Sequence, residues 1–203
     1  MKCFLFDFIN YYEKNAQKVR SLNDYLFDLP KTWEWCSLSN LSQLITDGTH
    51  KTPNYMTEGI PFLSVQNISS GKFDLTKLKY ISKNEHLNLI KRCKPILNDI
   101  LICRIGTLGK PIINTLDFEF SIFVSLGLIR LVNTCTVNYI KLILESPFIY
   151  NFIDYIKVGG GTHTFKINIE DMSRFPIPLA PINEQIRIVA KINQLFQIIA
   201  QIS

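Results

Sequence analysis

Two periodicities divide the chain. GIPFLSVQNI (residues 59–68) has a period of two from Phe62 onward, with Phe62, Ser64 and Gln66 on one face and Leu63, Val65 and Asn67 on the other; this predicts a strand through Asn67. Residues 95–114, PILNDILICRIGTLGKPIIN, predict strands joined by a tight turn at Gly106 to Gly109. FEFSIFVSLGLIRLV (118–132) is rich in β-branched and aromatic residues and predicts one strand or two. Helical spacing takes over in 137–157, where Tyr139, Ile143, Phe148, Phe152, Tyr155 and Ile156 recur and Pro147 separates two helices. Shorter signals are a helix near Phe4 to Lys18 that ends before Pro30, a short strand leading into a turn or helix over 35–45, and a helix over Lys83 to Lys91. Prolines 176, 178 and 181 predict a rigid stretch with no room for a strand interior. Beyond them Ile188, Ile192, Leu195, Ile199 and Ile202 are spaced 4, 3, 4, 3, a heptad seam widened by Val189 and Phe196. Such a helix either folds back on its own domain or pairs with another helix.

The elements add up to an α+β fold: a globular domain with a small mixed or antiparallel β-sheet and flanking helices, then a long C-terminal helix of coiled-coil type. The expected divisions are a helical extension over 1–28, the globular domain over 29–179, and a spacer or dimerisation helix over 180–203, complete or truncated. With 203 residues, 47% hydrophobic and 19% charged, the chain has enough apolar material for one domain with a core and an appendage. No run of about eighteen apolar residues suggests a membrane span. MKCFLFDFIN lacks the cleavage pattern of a signal peptide, so a cytoplasmic location is expected. The five cysteines contain no C-x-x-C pair and are expected to be reduced. His50, His86 and His163 lack ligand spacing, so no metal site is expected.

Charge narrows the reading further. The net charge of +5 lies wholly within residues 31–110, which hold eleven basic and six acidic groups, while the flanking segments each balance to zero. Lys72, Lys77, Lys79, Lys83, Lys91, Arg92 and Lys94 face only Asp74 and Glu85 there. A local basic face suits a polyanion such as DNA, and is also compatible with an ordinary solvated surface.

Motifs of catalysis are missing. VGGGTHTFKI (158–167) has no Gly-Lys-Thr for a phosphate-binding loop and no third glycine for a dinucleotide fingerprint. It reads as a turn near the junction of domain and helix that needs positive φ, or as a phosphate contact through backbone N–H groups. No G-x-S-x-G elbow and no Asn-Pro-Pro-aromatic tetrapeptide occurs, and DFEF lacks the lysine of a magnesium-dependent nuclease.

Four segments in order carry a family resemblance: LPKTWEWCSLSNL (29–41), DGTHKTPNYMTEGIPFLSVQNI (47–68), DILICRIGTLGK (99–110) and PIPLAPINEQIRIVAKI (176–192). Together they resemble the specificity subunit of Type I restriction-modification systems, over roughly residues 28–203, in a half-length form with one target recognition domain. The resemblance implies sequence-specific recognition of double-stranded DNA on a bipartite target. It also implies no catalysis by this chain, docking of methyltransferase subunits, and assembly with restriction subunits. S-adenosylmethionine, ATP and Mg would belong to those partners, with no cofactor bound here. A single recognition domain implies a homodimer through Ile188, Ile192, Leu195, Ile199 and Ile202. The alternative is a truncated remnant or recombination cassette acting only as a protein-interaction module. Candidate DNA contacts are His50, Lys51 and Thr52 in the first loop, Gln66, Asn67, Lys72, Lys77, Lys79 and Arg92 in and around the variable stretch 69–98, Arg104, Thr107 and Lys110 at the RIGTLG turn, and His163 and Lys166 after the glycines.

Overall fold

A computed structural model describes residues 27–160 and 163–202, with the backbone alone for His163. The expected helix near Phe4 to Lys18, and all of the 1–28 extension except its last two residues, lie outside the described residues.

A four-stranded antiparallel sheet forms the middle of the domain, in the order β2 (Ser42–Asp47), β8 (Leu126–Leu131), β5 (Ile100–Cys103), β6 (Gly109–Ile113). Its alternating side chains are buried on both faces. Ile100, Ile102, Ile129 and Leu131 point into one core with the helices α3 (Val137–Leu144) and α4 (Pro147–Ile156). Leu101, Cys103, Leu126 and Leu128 point into a second core with Leu63, Ile68, Phe120 and Ile122. Each such buried aliphatic side chain contributes roughly 1.5–3 kcal/mol. Pro147 opens α4 rather than breaking a helix: the Ser146 side chain accepts from Ile149 N–H, and proline fits the first turn, where an N–H would have no partner.

A three-stranded sheet covers the second core, in the order β4 (Lys79–Ile81), β3 (Ile60–Leu63), β7 (Ser121–Ile122), with β3 antiparallel to β4 and parallel to β7. The 118–132 segment thus forms two strands in two different sheets. The strand expected through Asn67 stops at Leu63, and Val65–Asn67 form a 3-10 turn. Local hydrogen bonding overrides the alternation here: Ser64 N–H donates to Asn67 Oδ1 (2.9 Å) and Asn67 N–H to Ser64 O (2.9 Å).

The proline stretch is a second correction. Pro176–Leu179 form strand β11, paired antiparallel with β1 (Glu34–Ser37), whose Ser37 caps the short helix α1 (Leu38–Leu41) before β2. Pro176 and Pro178 face Ser37 and Trp35, two residues apart, and so occupy the same class of antiparallel pair. Their missing N–H groups fall where a two-stranded ladder needs no donor.

Gly159 and Gly160 lie in strand β9 (Val158–Gly160), which pairs antiparallel with β10 (His163–Lys166) as a hairpin, and both have positive φ, +109° and +110°. A Cβ on Gly159 would sit 2.6 Å from Thr164 O, so the close backbone approach excludes a side chain. The hairpin docks on the RIGTLG turn: Gly106 N–H donates to Phe165 O (2.9 Å) and Ile167 N–H to Arg104 O (2.9 Å).

After helix α5 (Ile169–Ser173), the chain ends in α6 (Ile182–Ile202), which packs on α3. Trp33 Nε1 donates to Glu184 Oε2 (3.0 Å), buried Gln185 donates to Ala180 O (2.7 Å), and Ile188 and Val189 pack on the helix-side core. Leu195, Ile199 and Ile202 are 47%, 59% and 82% exposed. The seam is therefore split: Ile188 belongs to the parent domain, Ile192 is half-buried, and Leu195, Ile199 and Ile202 face outward. Among the described residues no helix is long and apolar enough to cross a membrane.

Candidate nucleic-acid interface

The Asp-Gly pair at the end of β2 organises the first cluster. Asp47 is 4% exposed, and its carboxylate accepts from Arg104 Nη1 (2.9 Å), Arg92 Nη1 (3.0 Å) and His50 Nε2 (2.9 Å). One anion thus gathers three basic residues that are far apart in sequence, leaving the two guanidinium groups and the carboxylate with a net charge of +1. Gly48 makes the approach possible, because a Cβ there would lie 2.1 Å from Ile122 O.

The cluster corrects one assignment and qualifies another. Arg104 is 6% exposed; Nε donates to Ile167 O (3.1 Å) and Nη1 also to Val124 O (2.9 Å). Burial pushes its guanidinium pKa down, and the Asp47 charge opposes the shift. Arg104 therefore ties together β2, the β7–β8 connection and the end of the hairpin, and has no face for a base edge. Arg92 lies at the surface, but its guanidinium donates to Thr46 Oγ1 (3.2 Å), Asp47 O (2.8 Å) and Gly48 O as well as to the Asp47 carboxylate. It fastens the turn after helix α2 (Lys83–Leu89) to the first loop. Asn67 is also framework: it is 6% exposed, and Nδ2 donates to Asp74 O (3.0 Å). That bond closes the loop bearing Lys72.

The remaining candidates are exposed: His50, Lys51, Thr52, Gln66, Lys72, Lys77, Lys79, Thr107, Lys110 and Lys166. His50, with Arg92, rims a cleft of about 350 Å³ that also takes in Thr49, Asn88, Leu89, Cys93, Ser121 and Ile122. Lys166 pairs through its backbone with Ile105, which places the hairpin beside Thr107. Lys110 has φ +53°, and its N–H donates to Tyr150 Oη (3.0 Å). Of His163 only the backbone, in β10, is described.

Two residues escaped the sequence reading. Asp47 was visible only as turn chemistry, because its two guanidinium partners lie 45 and 57 positions away. Tyr55, within TPNYM, is 42% exposed with the Lys79 ammonium 4.3 Å from its ring centroid; an aromatic residue in a loop near a lysine-rich stretch was the available signal.

Beside the cleft, His86 is 2% exposed; its Nδ1 bonds Ser121 Oγ (2.9 Å) while Nε2 stays 3.8 Å from Glu119. Burial lowers its pKa below 6.5, with Glu119 opposing and Lys94 assisting. Cys36, Cys93, Cys103 and Cys135 are free thiols, and burial pushes the first three up to about 12.

A family model described as the type I restriction modification DNA specificity domain matches residues 30–203. The StySPI specificity subunit of Salmonella potsdam is 28% identical over 82% of this chain and 37% of its own length. The EcoAI specificity subunit of Escherichia coli is 28% identical over 84% of this chain and 29% of its own length. The chain therefore spans roughly a third of these relatives. Among solved structures, one from a study of assembly and conformational transition of the type I R-M system aligns with a TM-score of 0.60 at 21% identity, over 99% of this chain and 46% of the other. The HsdS subunit of Thermoanaerobacter tengcongensis aligns with a TM-score of 0.55 at 20% identity, over 98% and 45%. At these identities the structural likeness establishes the fold.

Proposed function

The chain belongs to the family of type I restriction modification DNA specificity domains, and on that premise we propose that it recognises one half of a split DNA target and positions methyltransferase subunits on it. The observation that supports this reading is the exposed basic set around the Asp47 cluster and the Lys72–Lys79 segment, carried on the stretch 31–110 that holds the whole +5 charge excess. Lysines on phosphates supply affinity and register, while Gln66, Thr52 and neighbouring loop residues reach base edges. The chain itself performs no chemistry in this scheme. Methylation and cleavage belong to partner subunits, which carry S-adenosylmethionine, ATP and Mg.

The open C-terminal half of α6 supports a homodimer that sets two recognition domains at a fixed spacing, which by two-fold symmetry makes the target palindromic and split. Co-expression with methyltransferase subunits followed by genome-wide methylation mapping tests the proposal. A symmetric bipartite motif is expected. Absence of any motif, with all subunits present and folded, would overturn it.

A further inference from the structure

Lys79 differs from the other exposed lysines in how it is held. It lies on β4 opposite Phe62 of β3, and the backbone of the first loop is tied to the same strand, Met56 N–H donating to Tyr80 O (2.9 Å). That pairing sets the Tyr55 ring beneath the Lys79 ammonium, 4.3 Å from the centroid. The ring is itself fixed from below. Tyr55 meets Phe62 edge-on at 5.9 Å and 62°, and Phe62, 1% exposed, meets Phe123 at 6.1 Å. Three rings thus run in sequence from half-buried Phe123 through buried Phe62 to Tyr55, with an ammonium at the surface above the last. The two other lysine–ring contacts among the described residues lack this arrangement: Lys157 is also ion-paired with Asp154, and Lys110 stands 5.8 Å from Tyr150. The charge of Lys79 faces a ring quadrupole instead of an ion-pairing carboxylate among the described residues.

We infer that Tyr55 is a positioning residue that presets the Lys79 ammonium for contact with a DNA phosphate. A free lysine loses rotamer freedom when it docks; one already held over a ring loses less, so the contact forms at lower entropic cost. The ring covers one side of the ammonium, and because Lys79 is exposed a phosphate oxygen can approach from the solvent side. Phosphate contacts set register and carry no sequence information, so this pair governs affinity and salt dependence, not base choice. The inference rests on the DNA-recognition reading above.

The test uses the full chain and a labelled random-sequence duplex of about 40 base pairs, with binding followed by fluorescence anisotropy between about 50 and 300 mM KCl. Lys79→Gln should make the slope of log K against log salt shallower by about 1. Tyr55→Leu should weaken binding about threefold, Tyr55→Phe should match the parent, and Tyr55→Leu added to Lys79→Gln should cost nothing further. Thermal melting of each variant separates folding defects from binding defects. An unchanged slope in Lys79→Gln, or an equal Tyr55→Leu loss in both backgrounds, overturns the inference and leaves DNA recognition standing. Failure of the parent chain to bind any duplex overturns the DNA reading itself.

Discussion

Asp47 and Arg104 form a buried ion pair, 4% and 6% exposed, that joins three segments of the chain. Breaking such a pair from one side leaves an uncompensated buried charge, so Asp47→Ala should cost about 3–5 kcal/mol in urea unfolding, read as a lower midpoint at unchanged m. A smaller loss, within that of an ordinary surface substitution, would show that Arg104 finds other partners. His86 makes a pH prediction with a definite sign. Its folded pKa lies below 6.5, so under that pH the unfolded chain takes up a proton that the native imidazole refuses. Stability from this group is complete above 6.5 and falls as pH drops through 6.5 toward the folded pKa. The melting temperature should decline in that window before the carboxylates titrate, and His86→Gln should flatten the decline. Residue types at this scale were legible in the sequence, and their partners were not: Arg104 stood among the candidate DNA contacts, and only burial shows it bound to Asp47, Val124 and Ile167.

At the scale of elements, α6 divides into an anchored and an open part. Ile188 and Val189 rest on the domain core, whereas Leu195 and Ile199 face outward. Leu195→Asp with Ile199→Asp should therefore convert a dimer into a monomer by light scattering while leaving the melting temperature nearly unchanged. Ile188→Asp should lower that temperature by burying an unpaired charge. A parent chain that is monomeric at tens of micromolar would dispose of the spacer reading. The heptad spacing announced this helix because a 4, 3, 4, 3 pattern demands an apolar partner, but spacing alone does not say which partner takes which position. The β11 strand escaped for a related reason: whether proline is tolerated depends on which strand lies alongside and on which side donors are needed.

Across the whole molecule, the two cores flank one sheet, and the charge excess is carried by the segments around the second core. If Lys72, Lys77 and Lys79 each contact one phosphate, their joint replacement by glutamine should reduce the salt slope of DNA binding by about 3 and weaken all sequences alike. A change in the methylated motif instead would assign them to base readout. The class of fold, the strands of residues 100–131, the paired helices around Pro147 and the terminal helix follow from the sequence, because side-chain periodicity and turn residues act over a few neighbouring positions; the family was legible only through the resemblance of four ordered segments. Only the tertiary structure decided that Asp47 gathers Arg92, Arg104 and His50, that the glycine hairpin braces the RIGTLG turn, that prolines form an edge strand, and that Tyr55 underlies Lys79. Each of these depends on residues distant in the chain meeting at ångström range, where burial and hydrogen bonding choose among roles that the side chain alone leaves open.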